Sequence, residues 1–215
     1  MSYFITGTDT AVGKTYVTRL MLEGLRAMGV DAVGCKPVAC GDRDDAEIIA
    51  TASGGLAIDA VNPVFFNSPL APYVAGLLEN RTADPAAMLN ACRELISAHQ
   101  MVLVEGAGGW EVPITPSCRI SDIAADLGLP VIVVAANRLG ALNHILLTVQ
   151  AIRARGLECA GIFLNQLGDE LDTAMITNKG VVENLAGVPL LDHLIHGQDF
   201  ITPGTLEQLL ARQTI

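Results

Sequence analysis

Along this chain, short unbroken apolar runs alternate with longer stretches in which apolar residues recur every three or four positions. The runs fall at residues 2–6, 31–37, 101–105, 130–136 and 159–165, with a shorter sixth candidate at 188–191. Runs of this kind, lacking polar alternation, predict strands buried on both faces. The periodic stretches at about 14–28, 45–53, 72–79, 84–98 and 142–155 predict helices. Gly29 and Gly156 stand where helices would close through a left-handed residue. Asp84-Pro85 offers an N-cap acceptor followed by proline at the first helical position. Buried strands separated by helices predict an α/β fold: a doubly wound, mainly parallel sheet with helices on both faces. No repeat, low-complexity segment or linker divides the chain, so residues 1–215 read as one domain.

Composition bears on this picture through apolarity and charge. Hydrophobic residues make up 51% and charged residues 17%, which raises the question of a membrane. The most apolar stretch, 129–136, contains Pro130 and stops at Asn137 and Arg138. That is far short of the roughly 20 residues a spanning helix needs. Gly7, Asp9 and Lys14 interrupt the apolar run that a secretory signal requires, so the expected location is the cytoplasm. Thirteen Lys+Arg against 23 Asp+Glu give a net charge of −10. This argues against general nucleic-acid binding, where neutralising phosphates supplies most of the affinity. A small anionic ligand is still compatible, because a few cations or aligned amides hold it locally. Five cysteines without a C-x-x-C pair read as reduced thiols rather than a disulfide frame or zinc site.

Between the first strand and the first helix lies Gly7-Thr8-Asp9-Thr10-Ala11-Val12-Gly13-Lys14-Thr15. In a P-loop, backbone N–H groups and the helix N-terminus cradle phosphates, the lysine reaches the β/γ oxygens and the hydroxyl binds Mg²⁺. The strict pattern places a glycine where Thr8 stands; here the glycine comes one residue earlier. The strand before and the helix after favour a nucleotide site over an incidental Gly-Lys-Thr. Lys36 closes the second strand and Glu105 the third, at the sheet end where open α/β folds bind ligands. Lys36 is a candidate second phosphate contact. Glu105 is a candidate Mg²⁺ ligand by analogy with a Walker-B acid, and the glycines after it allow close backbone approach.

Taken together, Thr6-Gly7-Thr8-Asp9-Thr10, Val12-Gly13-Lys14-Thr15, Lys36-Pro37-Val38, Val104-Glu105-Gly106-Ala107-Gly108-Gly109-Trp110 and Leu139-Gly140-Ala141-Leu142-Asn143-His144 resemble dethiobiotin synthetases. The resemblance runs in that family's order and spacing to about Asn165, and the extra P-loop residue is a trait of the family. It implies a P-loop NTPase fold and a Mg²⁺- and ATP-dependent ring closure in biotin biosynthesis. The substrates would be 7,8-diaminononanoate and CO₂ or bicarbonate. One amine would form a carbamate, whose oxygen attacks the γ-phosphate to give a mixed anhydride; the second amine then closes the ureido ring.

Site roles follow from the same resemblance. Lys14 and Lys36 would hold the γ-phosphate and the carbamate, with Thr10 lining that pocket. Val12, Gly13, Gly106 and Gly108 would surround the nucleotide, and Asn165 would contact its base. Thr15, Glu105 and Asp45 would bind Mg²⁺, with Asp44 the alternative to Asp45. Cys40 and Gly109 would face substrate. A homodimer is implied, in which the helix start at Leu139, Gly140 and Asn143 receives the carboxylate of substrate bound by the other subunit. A helix N-terminus favours such an anion. Substitution of Lys36 is expected to slow catalysis far more than it lowers stability.

The chain also departs from the family pattern. Ala11 replaces a common Glu, Cys40 a Ser or Thr, Tyr73 a frequent His and Gln166 a common Asp; residues 192–197 lack the usual G-x-[IL]-P. These changes bear most on nucleotide selectivity. They also motivate an alternative, a degenerate paralogue that binds nucleotide without turnover. A MinD/ParA-type ATPase is a second alternative, but it needs a lysine where Asp9 stands.

Overall fold

The computed structural model describes residues 2–212. The first half of the chain runs β1 (Tyr3–Gly7), α1 (Lys14–Ala27), β2 (Ala32–Cys35), β3 (Val38–Cys40), α2 (Asp44–Ala52), α3 (Ile58–Val61), β4 (Val64–Phe66), α4 (Pro72–Leu78) and α5 (Pro85–Ala98). It continues through β5 (Met101–Gly109), β6 (Pro113–Thr115), β7 (Cys118–Arg119), α6 (Ile120–Leu127), β8 (Val131–Ala136), α7 (Ala141–Ala154), β9 (Cys159–Asn165), α8 (Thr173–Leu185), β10 (Leu190–Leu194) and α9 (Pro203–Ala211).

Six strands form one sheet in the order β10-β9-β8-β1-β5-β2, every neighbouring pair parallel. The chain leaves β1 for the edge strand β2, returns to β5 between them, then crosses to β8 on the other side. This puts β1 centrally, with Ile5 opposite Glu105 in the ladder to β5. A parallel β3-β4 pair and an antiparallel β6-β7 hairpin stand as separate small sheets.

The absence of polar alternation in the strands is explained by two cores. Phe4, Val102, Val104, Val133 and Leu164 point into one, with Cys92 of α5, Ile123 of α6 and Ile145 of α7. Tyr3, Ile5, Leu103, Val134 and Phe163 point into the other, with Leu20 of α1, Ile49 of α2 and Leu206 of α9. Strand side chains alternate faces, so both faces must be apolar when helices cover both. Packing of α2 is tight: a Cβ on Gly34 would lie 2.3 Å from Ile49 Cγ2, so glycine there lets α2 approach β2 closely.

Helix ends behave as the sequence predicts. Gly29 takes φ +83°, its N–H donating to Arg26 O at 2.9 Å while Val30 N donates to Leu25 O at 3.1 Å. The Asp84 carboxylate accepts from Ala86 N and Ala87 N at 2.9 and 3.1 Å. Other boundaries differ. β2 stops at Cys35, freeing Lys36; β5 continues four residues beyond the apolar run, through its glycines; the sixth strand lies at Leu190–Leu194 rather than 188–191. Helices α6, α8 and α9 and the short β3, β4, β6 and β7 were not expected from the apolar pattern. Among the described residues no helix is long and apolar enough to cross a membrane. The five cysteines are free thiols.

Candidate active site

β1 ends at Gly7, where a Cβ would sit 2.7 Å from Asp9 O; the chain then turns through Ala11 (φ 56°) and Gly13 (φ 88°) into α1. The turn places Lys14 and Thr15 in the first helical turn, under the ends of β5 and β2. Lys14 is buried, its Nζ donating to Asp9 O at 3.2 Å. Burial first, and then the neighbouring Lys36 charge, lower its pKa to about 8.

Glu105 at the end of the apolar part of β5 is fully buried and collects three donors. Thr15 Oγ1 lies 2.8 Å from Oε1, Thr18 Oγ1 lies 2.6 Å from Oε2, and Lys36 Nζ lies 2.6 Å from Oε1. Lys36 also donates to Asp45 Oδ2 at 2.8 Å. Burial alone would lower the Lys36 pKa, but Glu105 and Asp45 outweigh it and raise the value above the usual 10.5. For Asp45, burial pushes upward and Lys36 outweighs it, so the carboxyl is held below its ordinary 3.8. Asp44, by contrast, is exposed and bonds only locally, its N–H donating to Asp42 Oδ1 at 3.3 Å.

Thr10, Gly13, Lys14, Thr15, Lys36, Cys40 and Asp45 line a cavity of about 510 Å³ together with Pro69–Pro72, Gly108 and Val112, while Glu105 and Thr18 lie behind its lining. The Cys40 thiol is pushed up to about 11, first by burial and then by Glu79, so it presents a neutral S–H at pH 7. Oxygens of Glu105 and Asp45 converge on the Lys36 ammonium, and the Thr15 hydroxyl joins them through Glu105 Oε1. Hard oxygen donors of this kind suit Mg²⁺, which typically takes one or two carboxylates and completes its shell with phosphate oxygens and water. Among the described residues no three His, Cys, Asp or Glu side chains cluster into a self-sufficient metal cage.

A family model described as an AAA domain matches residues 1–198. An ATP-dependent dethiobiotin synthetase from Akkermansia muciniphila is 50% identical over 210 residues, covering 97% of this chain and 99% of its own length. Another, from Bacillus subtilis, is 37% identical over 199 residues, covering 88% of this chain and 84% of its own length. The chain belongs to the dethiobiotin synthetase family. Solved structures agree on the fold alone. MinD from Pyrococcus horikoshii, complexed with Mg-ADP, superposes with a TM-score of 0.56 at 18% identity, covering 97% of this chain and 86% of that one. A plasmid partition protein from Borrelia burgdorferi gives 0.58 at 12% identity, covering 99% and 98%.

Within this family member the remaining sequence-derived residues fall outside the cavity wall. Val12 is buried and its carbonyl accepts from Asn165 Nδ2 at 3.0 Å; a Cβ on Gly13 would lie 2.1 Å from the same nitrogen. Asn165 therefore braces the phosphate loop from below. Gly106 faces Ile120 and Phe4 in the core, and Gly109 backs onto the loop near Gly7 O. Leu139 is 81% exposed, and Gly140 (φ +89°) and Asn143 lie beside it on the surface at the start of α7. Thr18 was not foreseen, although its place one turn after Thr15 on α1 was a readable signal. Asp42, Tyr16 and Val112 also line the cavity without having been foreseen.

Proposed function

We propose that this chain makes dethiobiotin from 7,8-diaminononanoate, CO₂ and ATP. The observation that carries the reading is the pair Lys14 and Lys36 on one cavity wall, with Lys36 held between Asp45 and Glu105. One amine nitrogen bonds to the carbon of CO₂ and gives up a proton, forming the carbamate. A carbamate oxygen then bonds to the γ-phosphorus as the bond to ADP breaks. The second amine bonds to the carbonyl carbon, expelling phosphate and closing the ring. The protein supplies no covalent partner, so its contribution is positioning and charge neutralisation.

Lys14 is suited to the phosphate because its ammonium is poorly solvated and, among the described residues, has a single carbonyl partner. Lys36 stays protonated between its two carboxylates and so offers a fixed cation for a carbamate or phosphate oxygen. Mg²⁺ held by Thr15, Asp45 and Glu105 would neutralise phosphate charge. Thr10 and the neutral Cys40 thiol would face the diamine, with the thiol the weaker hydrogen-bond partner.

A homodimer belongs to this reading: the exposed Leu139 just before α7 and Leu147 on it suit burial against a second copy, and the helix start suits a substrate carboxylate. A cytoplasmic setting, with its reducing thiol pool, suits the free cysteines. The test is ATP-dependent phosphate release with diaminononanoate and bicarbonate, with the product identified by mass. Diamine-dependent release with dethiobiotin formed is expected. Nucleotide binding without diamine-dependent turnover would leave a degenerate paralogue instead.

A further inference from the structure

The phosphate loop contains a strained residue. Ala11 holds a left-handed backbone (φ 56°) although its Cβ disfavours that region. Such conformations persist where surrounding contacts over-determine them. Asp9 supplies several of those contacts. Its Oδ1 accepts from Thr10 N at 2.8 Å, its carbonyl accepts from Lys14 Nζ at 3.2 Å, and its Oδ2 accepts from Arg138 Nη2 at 3.1 Å.

Arg138 is well placed to hold Asp9 still. Its carbonyl accepts from Asn178 Nδ2 at 3.0 Å, and the same amide reaches Asn137 Oδ1 at 2.9 Å. Asn137 in turn donates from Nδ2 to Met175 O at 3.0 Å and from its backbone to Asn165 O at 2.7 Å. Asn137 and Asn178 are both buried. The backbone of Arg138 is thus fixed by a closed polar network at the ends of β8 and β9, while its guanidinium reaches across to the loop.

We propose that Arg138 is a positioning residue: through Asp9, whose carbonyl accepts from Lys14 Nζ, it sets Lys14 for the nucleotide. Both partners of the ion pair are about half exposed, so the pair adds little to global stability and its effect is local. The turnover part of the test rests on the synthetase reading; the binding part does not.

The experiment combines Arg138→Ala, Arg138→Lys, Asp9→Asn and the Arg138→Ala/Asp9→Asn double variant. Asn at position 9 keeps an oxygen for Thr10 N but loses the charge that Arg138 pairs with. The readouts are affinity for a fluorescent ATP analogue, kcat and KM for the diamine, and Tm. Arg138→Ala is expected to weaken analogue binding about fivefold, the scale of one surface ion pair, and to lower kcat by a similar factor. Tm and the diamine KM should stay near wild type, and Arg138→Lys should recover most of the loss. The double variant should be no worse than either single. Binding and kcat within twofold of wild type in Arg138→Ala would overturn the proposal, as would a double variant equal to the product of the singles. If wild type shows no diamine turnover, the synthetase reading falls while the binding cycle still decides the role of Arg138.

Discussion

Lys14 is the residue where function and stability should be most clearly opposed. Its ammonium is buried, its hydrogen-bond partner among the described residues is the carbonyl of Asp9, and Lys36 repels it. A fall in pKa from 10.5 to about 8 means that the charged amine is disfavoured in the folded chain by about 3 kcal/mol at neutral pH. Methionine keeps an unbranched stem of similar length and removes the charge. Lys14→Met is therefore expected to raise the free energy of unfolding at pH 7, without nucleotide, by about 1–3 kcal/mol. The lower end allows for relaxation around the amine. The same substitution removes the proposed phosphate contact and should abolish turnover.

The pH dependence supplies an independent check on the cause. Between about 8 and 10.5 the unfolded wild-type chain binds a proton at Lys14 that the folded chain has lost. Stability of wild type relative to Lys14→Met therefore rises with pH across that window, and below 8 the full penalty is present. Other titrating groups are shared by both proteins and cancel in the difference. Urea unfolding followed through Trp110, the one tryptophan and a buried one, measures the gap. A Lys14→Met protein less stable than wild type at pH 7 would refute the reasoning. So would a gap that stays constant from pH 8 to 10.5.

Two further outcomes follow from the carboxylates. Lys36→Ala should abolish turnover and also destabilise the chain by about 3–5 kcal/mol in urea unfolding, because it leaves the fully buried Glu105 without its cationic partner. This revises the expectation that a change at Lys36 touches catalysis far more than stability. With Asp45 as the proposed Mg²⁺ ligand, Asp45→Asn should raise the Mg²⁺ needed for half-maximal rate at least about tenfold, by loss of one charged ligand, against less than about twofold for Asp44→Asn; a larger effect at Asp44 would reverse the choice between them. Because Lys36 holds the Asp45 pKa below 3.8, the stability this carboxylate lends is present at neutral pH and disappears as pH falls through that lowered value. Acid unfolding of Asp45→Asn should accordingly be shallower than that of wild type.

The central strands were legible because burial on both faces leaves a continuous apolar signature, and the phosphate loop because Gly7 and Gly13 bracket a short turn that leads directly into Lys14 and Thr15. The extension of β5 was not, since Gly106, Gly108 and Gly109 carry no strand signal of their own. Helix α8 escaped because it buries only Asn178 and Val182, too little apolar surface to set a periodicity. In the site, residue types were legible and partnerships were not. Nothing in the chain order announces that Lys36 meets Glu105, 69 positions away, or that Arg138 meets Asp9, 129 positions away. Those contacts depend on β5 inserting between β1 and β2, and on β8 lying next to β1. Asn165 illustrates the same limit: nothing in the sequence announces that its amide donates to the carbonyl of Val12, 153 positions away.

Charge placement ties these observations together. The chain carries a net charge of −10, and its lysines are only Lys14, Lys36 and Lys179. Two of the three are buried at one cavity, where a charged lysine is costly unless it is paired. The two are treated differently: Lys36 has two carboxylates and a raised pKa, whereas Lys14 has a carbonyl and a lowered one. A polyanion entering the cavity would therefore find one cation already neutralised by the protein and one that is not. Most of the electrostatic gain on binding should come from Lys14, whose folded-state penalty the anion relieves. On this account nucleotide should stabilise wild type more than Lys14→Met by an amount comparable to that penalty, about 3 kcal/mol at saturation.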